Sequence, residues 1–476
     1  MVDLLNNPEQ FKKMWQQVGE TLLDAYTNPE RHDVMNITPT LTQRRDSPDD
    51  IPKTGAKPND VLAEATRLIF EGYCNVLHPA YYGYISPRPL PISLLGDILA
   101  SGLNQTPGAW RAGPAATVIE TEVIQWLAQF MGYPITSNKC PNGIITSGGT
   151  MANASALKLA RDTIIGRETQ FKGLAASTKQ PVFYMSIEGH FSIVKSLDFM
   201  GFGRDALRLI STTPSGSIDI QELRSSIQTD LSNGFLPLCI IGVAGTSATG
   251  AIDDLAALAK VAQEHNIWFH VDAAAGGAFA TLPMTKKLFY GLEFADSVTI
   301  DPCKWLFLSF GIGCLLVKDG TELYKSFNAS GPYWEELDEL DTFQMGFSGT
   351  RQWRSLGLWM AFKSLGVHGY WDLLSNNLNN AHYIASRISN EPSLELLSEP
   401  LLPVCCFRVI KEQPGMTLNA TNKWVQRRIV AQNQHYITLL DWRGDSYLRI
   451  SINNHTNHTS HLDALIDDIL NLFRND

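Results

Sequence analysis

Short apolar runs alternate with stretches of helical periodicity between about residue 90 and residue 320 of the chain. Several of the apolar runs are continuous, which is typical of strands in a sheet that is covered on both faces. The predicted strands span residues 143–146, 182–186, 207–210, 238–244, 267–271, 297–300 and 312–317. Helices are predicted between them, for example over 150–162 and 254–265. This rhythm predicts an α/β fold with a mostly parallel, doubly wound sheet.

The last part of the chain has a mixed pattern. A helical stretch at 356–366 precedes predicted strands at 402–410 and 447–452. A final amphipathic helix is predicted from apolar residues that recur at steps of three and four, namely Leu462, Leu465, Ile466, Ile469, Leu470 and Phe473. We therefore expect three parts, which are an N-terminal helical arm (1–75), a large domain (76–365) and a small C-terminal α/β domain (366–476).

Composition narrows the class of protein. The chain has 476 residues, 44% hydrophobic and 18% charged, with a net charge of -10. No basic face stands out, so a nucleic-acid partner is not expected, and no apolar run of about 18 residues predicts a membrane span. The seven cysteines show no CxxC spacing; they are Cys74, Cys140, Cys239, Cys303, Cys314, Cys405 and Cys406. Their odd number, in a long chain whose sequence shows no secretion signal, favours reduced thiols and a cytoplasmic setting.

A glycine-rich turn follows the first predicted strand, at residues 146–153 (TSGGTMAN). Free backbone N–H groups and the dipole at a helix start favour a phosphate, and Gly149 lets the backbone approach it closely. The alternative interpretation is an ordinary turn between a strand and a helix, with Thr150 as the N-cap.

Two further strands deliver charged side chains at their ends. Asp272 ends the apolar run IWFHVD, where a carboxylate can pair with a protonated pyridine nitrogen. Lys304 follows the run SVTI in an apolar setting, which would lower its pKa and make its amine a nucleophile toward an aldehyde. The alternatives are an aspartate that caps a turn and a lysine on the surface.

His190 follows the strand predicted at 182–186 and could stack on an aromatic cofactor ring or serve a structural role. It lies at the same predicted sheet edge as the glycine-rich turn, Asp272 and Lys304. A phosphate cradle, a ring stacker, an acid for the ring nitrogen and a reactive lysine together predict a pyridoxal-phosphate site.

The chain resembles the group II pyridoxal-phosphate decarboxylases, the family of aromatic-L-amino-acid, glutamate, histidine and diaminobutyrate decarboxylases. The resemblance extends from Pro58 to the last helix. Its segments are HPAYYGY at 78–84, LLGD at 94–97, WRAGPAATVIE at 110–120, TSGGTMAN at 146–153, HVDAAAGG at 270–277 and DPCKW at 301–305.

The resemblance implies a fold-type I enzyme with a seven-stranded large domain, assembled as a homodimer with active sites at the interface. It implies that Lys304 forms the Schiff base with pyridoxal 5'-phosphate and that Asp272 faces the pyridine nitrogen. His190 would stack on the ring. The remaining implied cofactor contacts are Gly149, Thr150, Ser247 and Ala274.

Three departures from the family pattern stand out. Cys303 replaces a histidine beside the lysine, and Asp301 stands near the phosphate where many relatives have asparagine. By this resemblance, the mobile loop, about 331–351, is several residues shorter than in aromatic decarboxylases. Its only tyrosine, Tyr333, aligns better upstream of the position that protonates the carbon left after CO₂ departs.

The residues that choose the substrate are less defined. Arg88, Trp110 and Arg111 lie in segments that line the substrate entrance in the family, and Arg449 is a candidate for the substrate α-carboxylate. Either Arg88 or Arg111 could grip an acidic side chain through a bidentate contact, or form a structural ion pair. Three histidines before the final helix (His455, His458 and His461) lack an acidic or thiol partner at ligand spacing, which favours a structural role over a metal site.

The sequence therefore predicts an amino-acid decarboxylase. The shortened loop and Cys303 keep a pyridoxal-phosphate aldehyde synthase or a carbon–carbon lyase open as alternatives. A non-catalytic homologue that acts as a binding protein is a third alternative, against which the intact Lys304, Asp272 and His190 argue.

Overall fold

The structure is a computed structural model that describes residues 7–136, 140–329 and 341–474. The chain divides into two compact units. The larger unit comprises Ile85–His382 and Ser398–Cys405. The smaller unit comprises the described residues up to Tyr84, Tyr383–Leu397 and the described residues from Cys406 onward. Over these ranges, none of the helices is long and apolar enough to cross a membrane.

Helices account for much of both units. In chain order they are α1 (Pro8–Thr27), α2 (Pro39–Asp46), α3 (Pro58–Glu71), α4 (Pro91–Leu103), α5 (Pro114–Met131), α6 (Gly149–Ile164), α7 (Thr169–Lys172), α8 (Ser192–Phe199), α9 (Ile220–Ser232), α10 (Leu255–His265), α11 (Gly320–Phe327), α12 (Ser355–Ser389), α13 (Leu418–Ala431) and α14 (Thr459–Asn471).

The strands form two sheets. In chain order they are β1 (Gly143–Thr146), β2 (Pro181–Ser186), β3 (Leu207–Ile210), β4 (Leu236–Val243), β5 (Trp268–Asp272), β6 (Ser297–Ile300), β7 (Gly313–Val317), β8 (Leu394–Leu396), β9 (Val404–Val409), β10 (Thr438–Trp442) and β11 (Asp445–Ser451). The large sheet has the order β1-β7-β6-β5-β4-β2-β3, and the small sheet has the order β10-β11-β9-β8.

The large sheet confirms the α/β prediction. All seven predicted strands are present, with bounds within two residues of those expected. Strands β1, β2, β5, β6 and β7 are buried along their whole length, which explains why their sequences are continuously apolar. Neighbouring strands from β6 to β3 run parallel, so their carboxyl ends meet at one edge of the sheet.

Strand β7 is the exception, because it pairs antiparallel with both β6 and β1. Strand β7 therefore begins at the edge of the sheet where β6 ends, and the loop between the two strands stays at that edge. Gly313, the first residue of β7, pairs with Thr146, the last residue of β1. This arrangement brings the loop after β6 next to the glycine-rich turn after β1.

The smaller unit joins the two ends of the chain. Val34 N–H donates to the Asn433 carbonyl, and Tyr82 N–H donates to the Tyr436 carbonyl, at 3.0 and 2.9 Å. The compact units therefore divide the chain differently from the expected boundaries 1–75, 76–365 and 366–476. Sequence periodicity locates elements along the chain, but it does not show which distant segments exchange hydrogen bonds.

Helix α12 continues beyond the stretch expected at 356–366. Gly366 has φ 62° and ψ -177°, a conformation that lies outside the helical region and that glycine adopts readily. The chain kinks there and resumes as a helix, so a residue that marked the end of the predicted helix lies inside a longer, bent one.

A buried ion pair fixes the segment that precedes α12. Arg351 and Glu120 approach to 2.6 Å, with side chains 8% and 1% exposed. Arg351 also donates to the carbonyl of Ile145 on β1 and to the hydroxyl of Thr342. The guanidinium thus ties this segment to α5 and β1, close to the glycine-rich turn. Removing one partner of such a pair leaves an uncompensated buried charge.

Candidate active site

A cavity of about 200 Å³ opens at the carboxyl ends of the parallel strands. Its lining comes from the turns after β1, β2, β4, β5 and β6, which is where α/β sheets bind ligands. The lining residues are Gly149, Thr150, Asn153, Glu188, His190, Ser192, Val243, Gly245, Ser247, Asp272, Ala274, Ala275, Asp301 and Lys304. The structure brings together all the residues for which a cofactor contact was expected.

The glycine-rich turn opens helix α6 at Gly149, with Gly148 as the N-cap residue. Gly148 has φ 147°, which a residue with a side chain rarely adopts. A Cβ atom on Gly149 would lie 2.8 Å from a carboxylate oxygen of Asp301. Thr150 is not the N-cap of the alternative interpretation; it lies inside the first turn with its side chain exposed.

Lys304 lies in the loop after β6, and its Nζ is 3.1 Å from Oδ2 of Asp301. Burial lowers the pKa of Lys304, but the nearby carboxylates of Asp301 and Asp272 outweigh that effect and raise it overall. The apolar sequence around Lys304 suggested a lowered pKa, and this expectation is wrong for the structure described here. The sequence does not show that two carboxylates face the amine.

Asp301 is buried, and its carboxylate carries the negative charge that pairs with Lys304. The pKa of its carboxyl group is raised overall, because burial, with a smaller contribution from the charge of Asp272, outweighs the lowering by Lys304 and the backbone of Gly149. The acid that departs from the family pattern therefore does pair with a cation, and it lies against the start of α6.

Asp272, the last residue of β5, accepts two hydrogen bonds. Asn153 Nδ2 donates to Oδ2 at 2.9 Å, and the backbone N–H of Ala274 donates to Oδ1 at 3.1 Å. The two donors fix the direction in which the carboxylate points. Asn153 lies on α6, so one helix contributes both the glycine-rich turn and the orienting amide.

A series of buried hydrogen bonds holds the side-chain amide of Asn153. Trp268 Nε1 donates to Ser297 Oγ at 2.9 Å, and Ser297 Oγ lies 2.9 Å from His270 Nδ1. His270 Nε2 lies 3.1 Å from Asn153 Oδ1. Because the Asn153 amide nitrogen points at Asp272, its oxygen must accept, so His270 carries its proton on Nε2. Burial lowers the pKa of His270 to about 4, which keeps the ring neutral near pH 7.

His190 follows β2 and lies in the cavity wall. The backbone N–H of Ser192 donates to its Nδ1 at 3.3 Å, which leaves Nε2 to carry the proton of the neutral ring. Burial lowers the pKa of His190, and the nearby Asp272 only partly opposes this. A neutral, half-buried imidazole is suited to contact with an aromatic ring face.

Cys303 is buried next to Lys304. Burial raises the pKa of its thiol to about 11, so the group remains a neutral thiol near pH 7. It therefore lacks the titration near pH 7 that a histidine, the usual residue of the family at this position, would have.

The expected substrate residues are not part of the cavity lining within the described ranges. Arg111 is exposed, and Arg88 and Trp110 are partly buried. The Trp110 backbone N–H donates to Asp341 Oδ1 at 2.8 Å, a structural contact. Arg449 belongs to the smaller unit, is 6% exposed and donates to the Tyr84 carbonyl.

The histidines before the final helix do not gather into a metal site, and the described part of the chain holds no other such cluster. Helix α14 begins at Thr459, with His458 as its N-cap residue. The His458 backbone N–H donates to His461 Nδ1 at 3.1 Å, so these two histidines have a structural role at the start of the helix. Tyr333 lies outside the described residues.

Sequence reasoning missed Asn153, His270 and Ser297. Sequence signals could have found His270 and Asn153, whereas none points to Ser297. His270 and Asp272 are two residues apart on a strand, so they face the same side of the sheet. Asn153 lies one helical turn after Gly149, on the helix that follows the glycine-rich turn.

Comparison with known proteins gives a consistent result. The family model described as the pyridoxal-dependent decarboxylase conserved domain matches residues 40–410. The chain is 26% identical over 94% of its length to an aromatic-L-amino-acid decarboxylase of Bacillus atrophaeus, covering 92% of that protein. It is 28% identical over 85% of its length to a phenylacetaldehyde synthase of Petunia hybrida, covering 81% of it.

Solved structures agree with the sequence comparison. The structure of Catharanthus roseus tryptophan decarboxylase in complex with L-tryptophan superposes with a TM-score of 0.88 at 25% identity. The superposition covers 98% of this chain and 99% of that one. The chain belongs to the pyridoxal-dependent decarboxylase family, and it is a carboxy-lyase that uses pyridoxal phosphate.

Proposed function

We propose that this protein removes CO₂ from an L-amino acid, with Lys304 as the residue that carries the cofactor. The observation that supports these residue roles is the shared cavity. One cavity of about 200 Å³ at the sheet edge is lined by Lys304, Asp272, His190 and the glycine-rich turn at the start of α6.

The residues of the cavity fit pyridoxal phosphate. The start of α6 presents backbone N–H groups beside a glycine where a side chain would not fit, which suits a phosphate. Asp272 provides an oriented carboxylate for a ring nitrogen, and Lys304 provides a primary amine for an aldehyde. When bound, the cofactor supplies that aldehyde and a pyridine ring that accepts the electron pair released as CO₂ departs.

The chain's own residues have distinct tasks. Asp272 would hold a proton on the ring nitrogen, which keeps the ring able to accept electrons. His190, neutral and half-buried, would cover one ring face and exclude water from it. Lys304 begins as a cation paired with Asp301, and it must pass a proton to solvent or substrate before its amine can react.

The buried hydrogen-bond chain serves positioning. Asn153 orients Asp272, and His270 orients Asn153 through a ring that stays neutral. Because His270 and Asn153 are buried and act through Asp272, they are positioning residues. Such support determines how accurately the carboxylate faces the cofactor ring.

Replacing the lysine tests the cofactor assignment. Lys304→Ala, loaded with pyridoxal phosphate, should lack the visible absorbance of a cofactor joined to a lysine amine, because no amine remains in the cavity. The matched control is Lys287→Ala, which changes an exposed lysine outside this cavity and should keep the absorbance. Unchanged absorbance in Lys304→Ala would remove Lys304 from its proposed role.

The neutral His270 gives a pH-dependent stability. Its folded pKa of about 4 lies below the unfolded value of 6.5. The unfolded chain therefore binds this proton first as pH falls. The contribution of the neutral ring to the free energy of unfolding is complete above pH 6.5. It is lost between about pH 6.5 and pH 4, and the loss amounts to about 3 kcal/mol.

We expect His270→Gln to reduce this loss, because glutamine can still donate to Asn153 but does not titrate. Thermal melting at pH 7 and at pH 5 measures the difference. His368→Gln, at an exposed site on α12, is the control and should melt with the wild-type pH dependence. Identical pH dependence in His270→Gln and in the wild type would show that His270 is not held neutral.

Aldehyde formation is a second candidate function, favoured by two observations. One relative is named a phenylacetaldehyde synthase, and the segment 331–351 contains no tyrosine other than Tyr333. In that reaction the amino acid, O₂ and water give the aldehyde, CO₂, ammonia and hydrogen peroxide.

Product analysis separates the two functions. The cofactor-loaded protein is incubated in air with the protein L-amino acids and with 2,4-diaminobutyrate, and the products are identified by mass spectrometry. We expect CO₂ and the matching amine without hydrogen peroxide. Equal amounts of aldehyde and hydrogen peroxide would instead establish the synthase reaction. An unconsumed substrate pool would contradict both.

A homodimer is also part of the proposal. Helix α1 leaves one apolar stripe exposed, at Phe11, Trp15, Val18 and Leu22. These residues recur at steps of three and four, and such an uncovered stripe is typical of an interaction surface. Sedimentation should give twice the chain mass of 52.8 kDa. A monomer at micromolar concentration would contradict the dimer.

A reducing compartment such as the cytoplasm suits the cysteines. All seven are free thiols, and five of them are buried. Free buried thiols are common where disulfides do not form. Fractionation that finds the protein in an oxidising compartment would contradict this assignment.

A further inference from the structure

The start of helix α6 already holds an anion of the chain itself. Oδ2 of Asp301 lies 3.1 Å from Lys304 Nζ, and the same carboxylate lies against the start of α6, where a Cβ on Gly149 would be 2.8 Å from Oδ2. Asp301 is 7% exposed. A Cβ on Gly313 would lie 2.8 Å from Oδ1, so β7 closes the space on the other side.

The charge of the cavity is unfavourable for a further anion. Among its described lining residues, Lys304 is the one lysine or arginine, whereas Glu188, Asp272 and Asp301 are acidic. His190 does not add a cation near pH 7, because burial lowers its pKa. A phosphate bound at the helix start would lie beside the Asp301 carboxylate, and two like charges at close range in a buried site repel each other.

We propose that Asp301 sets the affinity of this protein for phosphate-bearing ring ligands and takes up a proton from solvent when one binds. The proposal rests on the proposed function, since it assumes that the phosphate of the cofactor binds at the start of α6. In the free protein the carboxylate substitutes for that phosphate, because it lies against Gly149 at the helix start and balances the charge of Lys304. In the complex the protonated carboxyl can donate a hydrogen bond to the phosphate.

The groups facing Asp301 support proton uptake. Cys303 and Lys304 come from its own loop, Asp272 comes from β5, and Gly149 from α6 contributes a backbone N–H. Of these, Lys304 is the one that stabilises the negative charge strongly. A bound phosphate would interact with Lys304 and with the helix start in place of Asp301. The Asp301 carboxylate would then lose both favourable partners, while the charge of Asp272 would still repel it.

The experiment uses two ring ligands that cannot condense with Lys304. Pyridoxamine 5'-phosphate carries the phosphate, and pyridoxamine lacks it. Affinities of the wild type and of Asp301→Asn are measured by calorimetry at about pH 6.5 and about pH 8.5, in buffers of different ionisation enthalpy. Asparagine keeps the shape of the side chain and removes its charge, and equal melting temperatures confirm that the variant folds.

We expect Asp301→Asn to bind pyridoxamine 5'-phosphate about tenfold more tightly than the wild type near pH 8.5, with a smaller difference near pH 6.5. The wild type should take up close to one more proton per ligand than the variant. Pyridoxamine should bind both proteins alike, since it brings no phosphate to the helix start.

Equal or weaker binding of pyridoxamine 5'-phosphate by Asp301→Asn would overturn the inference and leave the proposed function intact. A wild type that binds pyridoxamine 5'-phosphate no better than pyridoxamine would overturn both, because no phosphate site would exist. If the variant proved unstable, proton uptake by the wild type alone still decides the matter, and its absence contradicts the proposal.

Discussion

The ion pair between Lys304 and Asp301, with Asp272 beside it, is the constraint on which the rest of the site depends. Charged groups taken out of water destabilise a fold unless they have partners. Here the partners come from different strands, since β5 ends in Asp272 and the loop after β6 carries Lys304 and Asp301. Antiparallel β7 returns this loop to the glycine-rich turn, so that the backbone N–H of Gly149 also contributes. The fold thus concentrates charge where the parallel strands end and where backbone dipoles can balance it.

The strands of the large sheet and the residues at its edge were predictable, because they depend on local sequence patterns. Continuous apolar runs located all the strands of the large sheet, and the residues following them, such as Asp272 and Lys304, were assigned to one edge. What depends on distant contacts was not predictable. The apolar neighbours of Lys304 suggested a lowered pKa, but two carboxylates from other positions reverse the sign. The division into compact units also differed, because Val34 and Tyr82 hydrogen-bond to residues near the other end of the chain.

Family membership and chemical outcome are separate questions for this chain. The family model spans residues 40–410, and relatives named as decarboxylases and as an aldehyde synthase have similar identity to this chain. The shared fold therefore does not decide between the two reactions, and side chains at the site must do so. Two such side chains lie next to Lys304: Cys303 is a neutral buried thiol, and Asp301 forms an ion pair with the lysine. The hydrogen-bond chain behind Asp272 serves either outcome, because both require an electron-accepting ring.

The central claim is that Lys304 holds the cofactor. The most direct test is to reduce the pyridoxal-phosphate-loaded protein with borohydride, which makes the link to the lysine permanent, and to map the modified peptide by mass spectrometry. The account predicts that the cofactor mass is found on the peptide containing Lys304, at that residue. Cofactor attached to a different lysine, or to none, would contradict the account.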